Sequence, residues 1–177
     1  MEINRFKAYD ADEIVTWFTS LEDYVLWGGR TFGWPLEAES IIKRSQEPQV
    51  ELYTFSESSA LSESSALSEP SSNNNHTELI GFMEFQRMSD SELRFCRVAI
   101  HPNQRGKGFG QSMIESALNA ARQTPDVTTI SLAVFQQNIG AKHCYDKAGF
   151  QVVDKEPKCK EFNGNTWPLY QMELKLS

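Results

Sequence analysis

The sequence has 177 residues, of which 40% are hydrophobic and 23% are charged, a composition typical of one globular domain spanning residues 1–177. Its formal net charge of −7 argues against nucleic acid or an anionic membrane as a partner. Residues 1–7 lack the apolar stretch of a signal peptide, and the three cysteines lack metal-ligand spacing. We therefore expect a cytoplasmic protein that holds no metal ion.

The first 50 residues predict one strand and two helices. Residues 2–9 have the character of a strand, and Asp10 or Asp12 is expected to cap the first helix. Gly28-Gly29 breaks the helical pattern that follows, and Pro35 is expected to begin the next helix.

A repeat then separates two predicted strands, at 50–55 and 79–85. The hexamer Ser-Glu-Ser-Ser-Ala-Leu occurs at 56–61 and again at 62–67, and a third copy begins at Ser68. Such a repeat buries little apolar surface, and its period does not match a helix. We expect residues 56–75 to form a surface loop inserted between two paired strands.

In the next predicted strand, the apolar residues change from odd-numbered to even-numbered positions. Leu93 and Phe95 are apolar at odd positions, whereas Val98 and Ile100 are apolar at even positions. Because side chains in a strand alternate between two faces, this shift indicates one extra residue. The sequence therefore predicts a β-bulge at Cys96-Arg97.

A glycine-rich loop follows this strand and opens a helix that continues to about Arg122. Residues 105–110 read Arg-Gly-Lys-Gly-Phe-Gly. Glycines let the backbone approach a ligand, and a helix N-terminus favours negative charge, so the loop is typical of phosphate or pyrophosphate binding. A P-loop needs Ser or Thr where this chain has Gly108, and the glycines here alternate instead of following the Rossmann spacing.

The remaining elements predict a strand at 127–134, a helix capped by Asn138 that stops at Gly149, and a terminal hairpin that turns at Asn163-Gly164. The predicted order is β-α-α-β-β-β-α-β-α-β-β. This order indicates an α/β (α+β) fold with one mixed sheet and helices on its faces.

Two motifs resemble those of the GCN5-related N-acetyltransferases, the GNAT family. The first is the Arg-x-x-Gly-x-Gly loop that begins at Arg105, and the second runs from Asn138 through Ala141 to Tyr145. The resemblance is closest over residues 75–155. It implies the family's mostly antiparallel sheet, splayed at the bulge, and acetyl-CoA as cosubstrate. The residues implied to contact acetyl-CoA are Val98, Ala99, Ile100, Gln104, Arg105, Gly106, Lys107, Gly108, Phe109, Gly110, Gln111, Asn138, Ala141 and Tyr145.

The resemblance also implies direct acetyl transfer to a primary amine through a tetrahedral intermediate, with Tyr145 as general acid. A tyrosine pKa of about 10 and a thiol pKa of about 8.5 make proton transfer to the departing thiolate only mildly uphill. The alternative is a packing tyrosine that hydrogen-bonds the coenzyme. Cys96 and Cys144 lack His or Asp partners placed by the sequence, so no acyl-enzyme is expected.

A general base is harder to assign. A lysine-type amine is neutral in only about one molecule in 2,500 at pH 7, so such an acceptor needs help to lose its proton. Some family members place a glutamate on the strand before the pyrophosphate loop. Glu84 and Glu92 are the candidates here, and a solvated surface position is the alternative for each.

The sequence allows two classes of acceptor, a small cationic amine and a protein or peptide amine. The net negative charge of the chain favours the small cationic amine. In the family fold, Trp27, Phe32 and Trp34 would lie over the acceptor side of the cleft; packing into the core is their alternative role. A non-catalytic acetyl-CoA-binding module on the same fold is the rival function. The C-terminal strand, if exposed, would suit pairing in a homodimer.

Overall fold

The computed structural model describes residues 1–29, 31–57, 78–154 and 158–176. The strands are β1 (Glu2–Arg5), β2 (Val50–Ser56), β3 (Leu79–Ser89), β4 (Glu92–Ile100), β5 (Thr129–Phe135), β6 (Gln151–Val152), β7 (Lys158–Phe162) and β8 (Asn165–Lys175). The α-helices are α1 (Asp10–Ile14), α2 (Leu21–Gly28), α3 (Ala38–Ser45), α4 (Phe109–Arg122) and α5 (Ile139–Lys147). Short 3-10 turns lie at Val15–Trp17 and Pro102–Gln104.

All eight strands belong to one sheet in the order β1-β2-β3-β4-β5-β8-β6, and β7 also pairs with β8. Every pairing is antiparallel except that of β4 with β5. The predicted fold class, a single mixed and mostly antiparallel sheet flanked by helices, is confirmed. Strands β2 and β3 pair as predicted, whereas the repeat that joins them lies, from residue 58 on, outside the described residues.

The register of β3 and β4 confirms the predicted bulge but places it at Arg97-Val98, one residue later than Cys96-Arg97. Phe82 pairs with Ala99, but Glu84 pairs with Cys96, so two residues of β4 face one residue of β3. Arg97 is one of these two and has a φ of 49°. Beyond the bulge the faces of β4 are exchanged: Ile100 packs against the same apolar cluster as Phe95. The extra residue thus explains the change of parity in the sequence.

The parallel pairing of β4 with β5 is short. It joins only residues 92–94 to residues 129–131, and β4 then continues to Ile100 without further pairing to β5. The two strands therefore separate toward the carboxyl end of β4. The sheet keeps its continuity on the other side, because β4 remains paired with β3 through Ile100.

Each face of the sheet carries its own apolar core. Strands β3, β4, β5 and β8 contribute Met83, Phe95, Ile130 and Met172 to one core, which they form with helices α4 and α5. The other core is formed with α1, α2 and α3 and includes Phe82 of β3. The splayed strand therefore lies between two packed layers.

The N-terminal helices differ from the prediction. Three α-helices precede β2 instead of two, and α1 is capped by Tyr9 without a side-chain bond. The Asp10 carboxylate instead accepts a hydrogen bond from the Lys7 N–H at 2.8 Å. Helix α3 begins at Ala38, after an extended Glu37, and not at Pro35. The capping signal for α2 is Ser20, which accepts a hydrogen bond from the Asp23 N–H at 3.1 Å.

The C-terminal hairpin is confirmed, but its last strand is not an edge. β8 pairs with β5 on one side and with β6 and β7 on the other. The expectation that the C-terminal strand is an exposed edge is therefore wrong, whereas the homodimer stays a prediction. Helix α5 ends as predicted, with Gly149 at a φ of 96° directly after the last turn.

The turn between β7 and β8 requires left-handed backbone. Asn163 and Gly164 have φ values of 49° and 74°, as a two-residue type I′ turn demands. We predict that Gly164→Ala lowers the free energy of unfolding by about 1 kcal/mol, because a Cβ disfavours this conformation. The melting temperature should fall by about 2–4 °C in calorimetry.

Gly33→Ala is the matched control for this substitution. No heavy atom lies within 4 Å of the Cβ it would add, and the φ of Gly33 lies outside the left-handed region. Its melting temperature should match that of the wild type. An equal loss in both variants would contradict the conformational explanation.

Candidate active site

A cavity of about 670 Å³ occupies the region where β4 and β5 separate. Residues 98–100 of β4 form one wall, and the glycine-rich loop and the start of α4 form the next. Helix α5 and the preceding Gln137 lie opposite, and Phe18 with part of α2 completes the enclosure. Elements from the N-terminal and the C-terminal half of the chain thus line one pocket.

Most of the residues predicted to contact a coenzyme line this cavity. They are Val98, Ala99, Ile100, Gln104, Arg105, Gly106, Gly108, Gly110, Gln111, Asn138, Ala141 and Tyr145. Lys107 and Phe109 are not among the lining residues. The Lys107 ammonium group donates a hydrogen bond to Gln104 Oε1 at 2.9 Å.

The loop brings the N-terminus of α4 to the cavity. Gly106 and Gly108 have φ values of 76° and 86°, which favour glycine, and Gly108 caps the helix. The first N–H groups of a helix lack intrahelical acceptors, and the helix dipole adds partial positive charge. Arg105 Nε donates to the Ile100 carbonyl at 3.2 Å, which ties this guanidinium to the end of β4. The arrangement suits an anionic group such as a pyrophosphate.

One buried side-chain atom in this region has no hydrogen-bond partner among the described residues. Gln111, in the first turn of α4, donates through Nε2 to Glu115 at 3.0 Å, but its buried Oε1 accepts no hydrogen bond among the described residues. A buried acceptor without a donor is costly. This oxygen can therefore accept a hydrogen bond from a molecule bound in the cavity.

Tyr145 lies on α5 with 6% of its surface exposed, and it lines the cavity. Its ring packs edge-on against Phe150 with 5.9 Å between centroids. Burial raises the pKa of Tyr145 above the ordinary tyrosine value. The hydroxyl therefore stays protonated at neutral pH, the state required of a proton donor.

Cys144 also lines the cavity, where α4 and α5 approach closely. A Cβ added at Gly110 would lie 3.4 Å from the Cys144 sulfur. Burial raises the pKa of the Cys144 thiol, and the same effect raises the pKa of Cys96. Both thiols are therefore poor nucleophiles, in keeping with the expectation of direct transfer.

Glu84 does not occupy the surface position considered for it. Its side chain is 0% exposed and lies between the guanidinium groups of Arg44 and Arg97. Both of its oxygens accept hydrogen bonds from both arginines, and it does not line the cavity. The hydrogen bonds to Glu84 raise the pKa of Arg44.

Glu92, the second candidate base, lies at the start of β4, where this strand is paired with β5. It accepts a hydrogen bond from the Ser131 hydroxyl at 2.6 Å and does not line the cavity. Neither candidate base therefore lies beside Tyr145 in the pocket.

The three aromatic residues predicted for the acceptor pocket occupy different places. Trp27 lines the cavity and stacks on Phe18 with 4.3 Å between ring centroids. Phe32 is half-buried against the core and does not line the cavity, and Trp34 is 42% exposed outside it. Only Trp27 has the location expected of a substrate-pocket residue.

Sequence reasoning missed the acidic side chain of this pocket. Asp23, in the first turn of α2, lines the cavity beside Leu26 and Trp27. The Ser20 hydroxyl donates to one of its carboxylate oxygens at 3.0 Å. The signal was present as Ser20-Leu-Glu-Asp23, a capping pattern that fixes both the start of α2 and the direction of Asp23.

Residues 36–150 match the model of the acetyltransferase (GNAT) family. This match spans more than half of the chain, so the protein belongs to the GNAT family of acetyl-CoA-dependent N-acetyltransferases, and the resemblance found in its motifs is confirmed.

Solved structures share the fold at low sequence identity. The crystal structure of spermidine N-acetyltransferase from Vibrio cholerae in complex with CoA and spermine matches with a TM-score of 0.73 and 18% identity, over 98% of this chain and 94% of that chain. A crystal structure provisionally assigned as a phosphinothricin N-acetyltransferase matches with a TM-score of 0.74 and 16% identity, over 99% and 98%. At these identities the likeness establishes the architecture.

In the part of the chain that the structure describes, no three His, Cys, Asp or Glu side chains are grouped as metal ligands would be. No helix among the same residues is both long enough and apolar enough to cross a bilayer.

The start of α5 depends on the Asn138 side chain, which accepts a hydrogen bond from the Ala141 N–H at 3.2 Å. We predict that Asn138→Ala lowers the free energy of unfolding by about 1 kcal/mol through loss of this cap. Asn138→Ser should keep most of it, because serine caps helices equally well. Chemical denaturation of the two variants measures the difference, and equal losses would show that the cap does not stabilise α5.

Proposed function

We propose that the protein acetylates a primary amine of a small cationic molecule that carries a second ammonium group. The observation that supports this proposal is the polarity of the cavity. Its positively charged side chains, Arg105 and Lys147, belong to the loop and α5, whereas Asp23 on α2 is the one carboxylate among the described residues that line it. One end therefore suits the phosphates of acetyl-CoA, and the other suits a cation.

Acetyl-CoA would lie along the splayed edge of β4. Because β5 pairs with β4 only through Arg94, the edge of residues 98–100 is not covered by a neighbouring strand. Backbone polar groups need partners, and the amide groups of a pantetheine chain can supply them. The pyrophosphate would then lie at the loop of residues 105–110 and the N-terminus of α4. Asn138 and Tyr145 flank the same channel from α5.

Tyr145 would act as general acid in this arrangement. The neutral amine attacks the thioester carbon, the carbon–sulfur bond breaks, and the tyrosine hydroxyl gives its proton to the departing sulfur. The raised pKa of Tyr145 keeps the hydroxyl protonated at neutral pH, but it also makes proton transfer to a thiolate more uphill than it is for an ordinary tyrosine. Because Glu84 and Glu92 lie outside the cavity, neither of them would remove the proton from the amine.

Asp23 would hold the second ammonium group of the acceptor. Phe18 and Trp27, which stack on each other, line the cavity together with Asp23. One carboxylate oxygen accepts from Ser20, and the other has no hydrogen-bond partner among the described residues. The structural relatives that bind spermidine or spermine are consistent with this choice of acceptor.

The Tyr145→Phe variant tests the proposed role of Tyr145 as general acid. We predict a loss of about 10²- to 10⁴-fold in kcat, because the proton donor is removed while the ring keeps its packing against Phe150. Tyr170→Phe is the control, since Tyr170 lies on β8 away from the cavity. Release of the CoA thiol measures both rates. A loss below tenfold with unchanged KM would leave Tyr145 as a packing residue that hydrogen-bonds the coenzyme.

A panel of amines tests the acceptor. Diamines and polyamines should be acetylated with a higher kcat/KM than monoamines of equal length, amino acids, or peptides bearing a lysine or a free N-terminus. Asp23→Asn should lower kcat/KM for diamines about tenfold or more and leave monoamines unchanged, because a charge-assisted hydrogen bond contributes roughly 1.5–3 kcal/mol.

Glu22→Gln is the control for Asp23→Asn. It removes the neighbouring carboxylate of the same helical turn, which is exposed and does not line the cavity. Equal effects of the two substitutions would assign the loss to long-range charge. Binding of CoA without acetylation of any amine would instead support the rival function, a non-catalytic acetyl-CoA-binding module.

A further inference from the structure

We propose that the buried ion pair of Glu84 and Arg97 sets the shape of the splayed strand, which makes both residues positioning residues for the thioester end of acetyl-CoA. This inference rests on the proposed function, because it assigns a role to the strand that would contact the coenzyme. Neither residue lines the cavity, so each would act through the backbone of β4.

Glu84 is an exception within its strand. Residues 79–85 of β3 are all buried, and Glu84 is the only ionisable side chain among them. Its carboxylate is 0% exposed, and the paired side chains of Arg97 and Arg44 are only 9% and 14% exposed. Arg97 Nε donates to Glu84 Oε2 at 2.6 Å, and its Nη2 donates to Oε1. Arg97 and Glu84 are therefore joined by two parallel hydrogen bonds that are shielded from solvent.

Arg97 is also the residue at which β4 bends. It lies in the bulge with a φ of 49°, a left-handed conformation that a residue with a Cβ adopts only when its surroundings impose it. Its Nη1 donates to the Thr31 hydroxyl at 3.1 Å, and its carbonyl accepts from Trp27 Nε1 at 2.7 Å. Contacts from β3, from Thr31 and from α2 therefore hold this one residue.

The next three residues are Val98, Ala99 and Ile100, which form the β4 wall of the cavity. A change in the backbone at Arg97 would rotate the peptide groups that follow it. Stability alone does not account for the ion pair, because apolar residues of similar shape often replace a buried ion pair without loss of stability. A geometric requirement at the bulge explains why a fork-shaped cation and a carboxylate occupy this place.

Arg97→Lys tests the inference, because lysine keeps the charge but cannot form the two-bond fork. The dissociation constants of CoA and of adenosine 3′,5′-bisphosphate are measured by calorimetry, together with kcat/KM for acetyl-CoA. We expect CoA to bind about tenfold more weakly and kcat/KM for acetyl-CoA to fall about 10- to 100-fold. The nucleotide lacks the pantetheine arm, so its affinity should remain within about twofold.

Arg94→Lys is the matched control, on the same strand before the bulge, and it should behave like the wild type. Thr31→Ala is a second and milder variant, since Thr31 is exposed and contacts only the outer nitrogen of Arg97. Thr31→Ala should also lower kcat/KM for acetyl-CoA. It therefore still tests the inference if Arg97→Lys does not fold.

A lower melting temperature of Arg97→Lys with unchanged CoA affinity and unchanged kcat/KM would overturn the positioning role and leave the proposed function intact. A wild-type protein that binds neither CoA nor the nucleotide would overturn both. Equal weakening of CoA and nucleotide binding would also contradict the inference, because it would place the effect at the loop and not at the splayed strand.

Discussion

The structure depends on the way β4 leaves its parallel neighbour while it stays paired with β3. A single extra residue in β4 provides the bend, and the pairing with β5 ends at Arg94. Left-handed backbone at Arg97 costs roughly 1–2 kcal/mol, which the surrounding contacts must offset. The separation leaves residues 98–100 beside a cavity and free of a second strand. A ligand with alternating amide and apolar groups can therefore replace the missing strand.

The cavity joins two layers of the protein that pack on opposite faces of the sheet. Helices α4 and α5 bring the glycine-rich loop, Asn138 and Tyr145 from one face. Helix α2 brings Asp23 and Trp27 from the other face. Because the splay opens the sheet between these layers, an anionic cosubstrate and a cationic acceptor can approach the same point from opposite sides. Family membership establishes the type of chemistry, and this two-sided geometry supports the proposed choice of acceptor.

The sequence predicted the bulge, the glycine-rich loop and the cap of α5 well because their signals are local. The bulge follows from the parity of four residues, the loop from the glycines between Arg105 and Gly110, and the α5 cap from Asn138. The acceptor side depends on tertiary packing. Trp27, Phe32 and Trp34 look alike in the sequence, yet only Trp27 lines the cavity.

Glu84 shows the same limit of sequence-based prediction for a charged residue. A glutamate in an otherwise apolar strand signals either a catalytic group or a buried ion pair, and only the positions of Arg44 and Arg97 in space distinguish the two. Arg97 is 13 residues away in sequence, and Arg44 is 40 residues away on a helix whose start was predicted incorrectly. Long-range contacts of this kind leave no periodic pattern in a single sequence.

Calorimetric melting with saturating CoA, acetyl-CoA and, separately, ATP with Mg²⁺ tests the central claim most directly. At 100 times the dissociation constant, a bound coenzyme should add about 2.7 kcal/mol to the free energy of unfolding and raise the melting temperature by about 5–10 °C. We expect this increase with both coenzymes and none with ATP. Unchanged melting with both coenzymes would contradict the assignment of the splayed strand and the glycine-rich loop as the acetyl-CoA site.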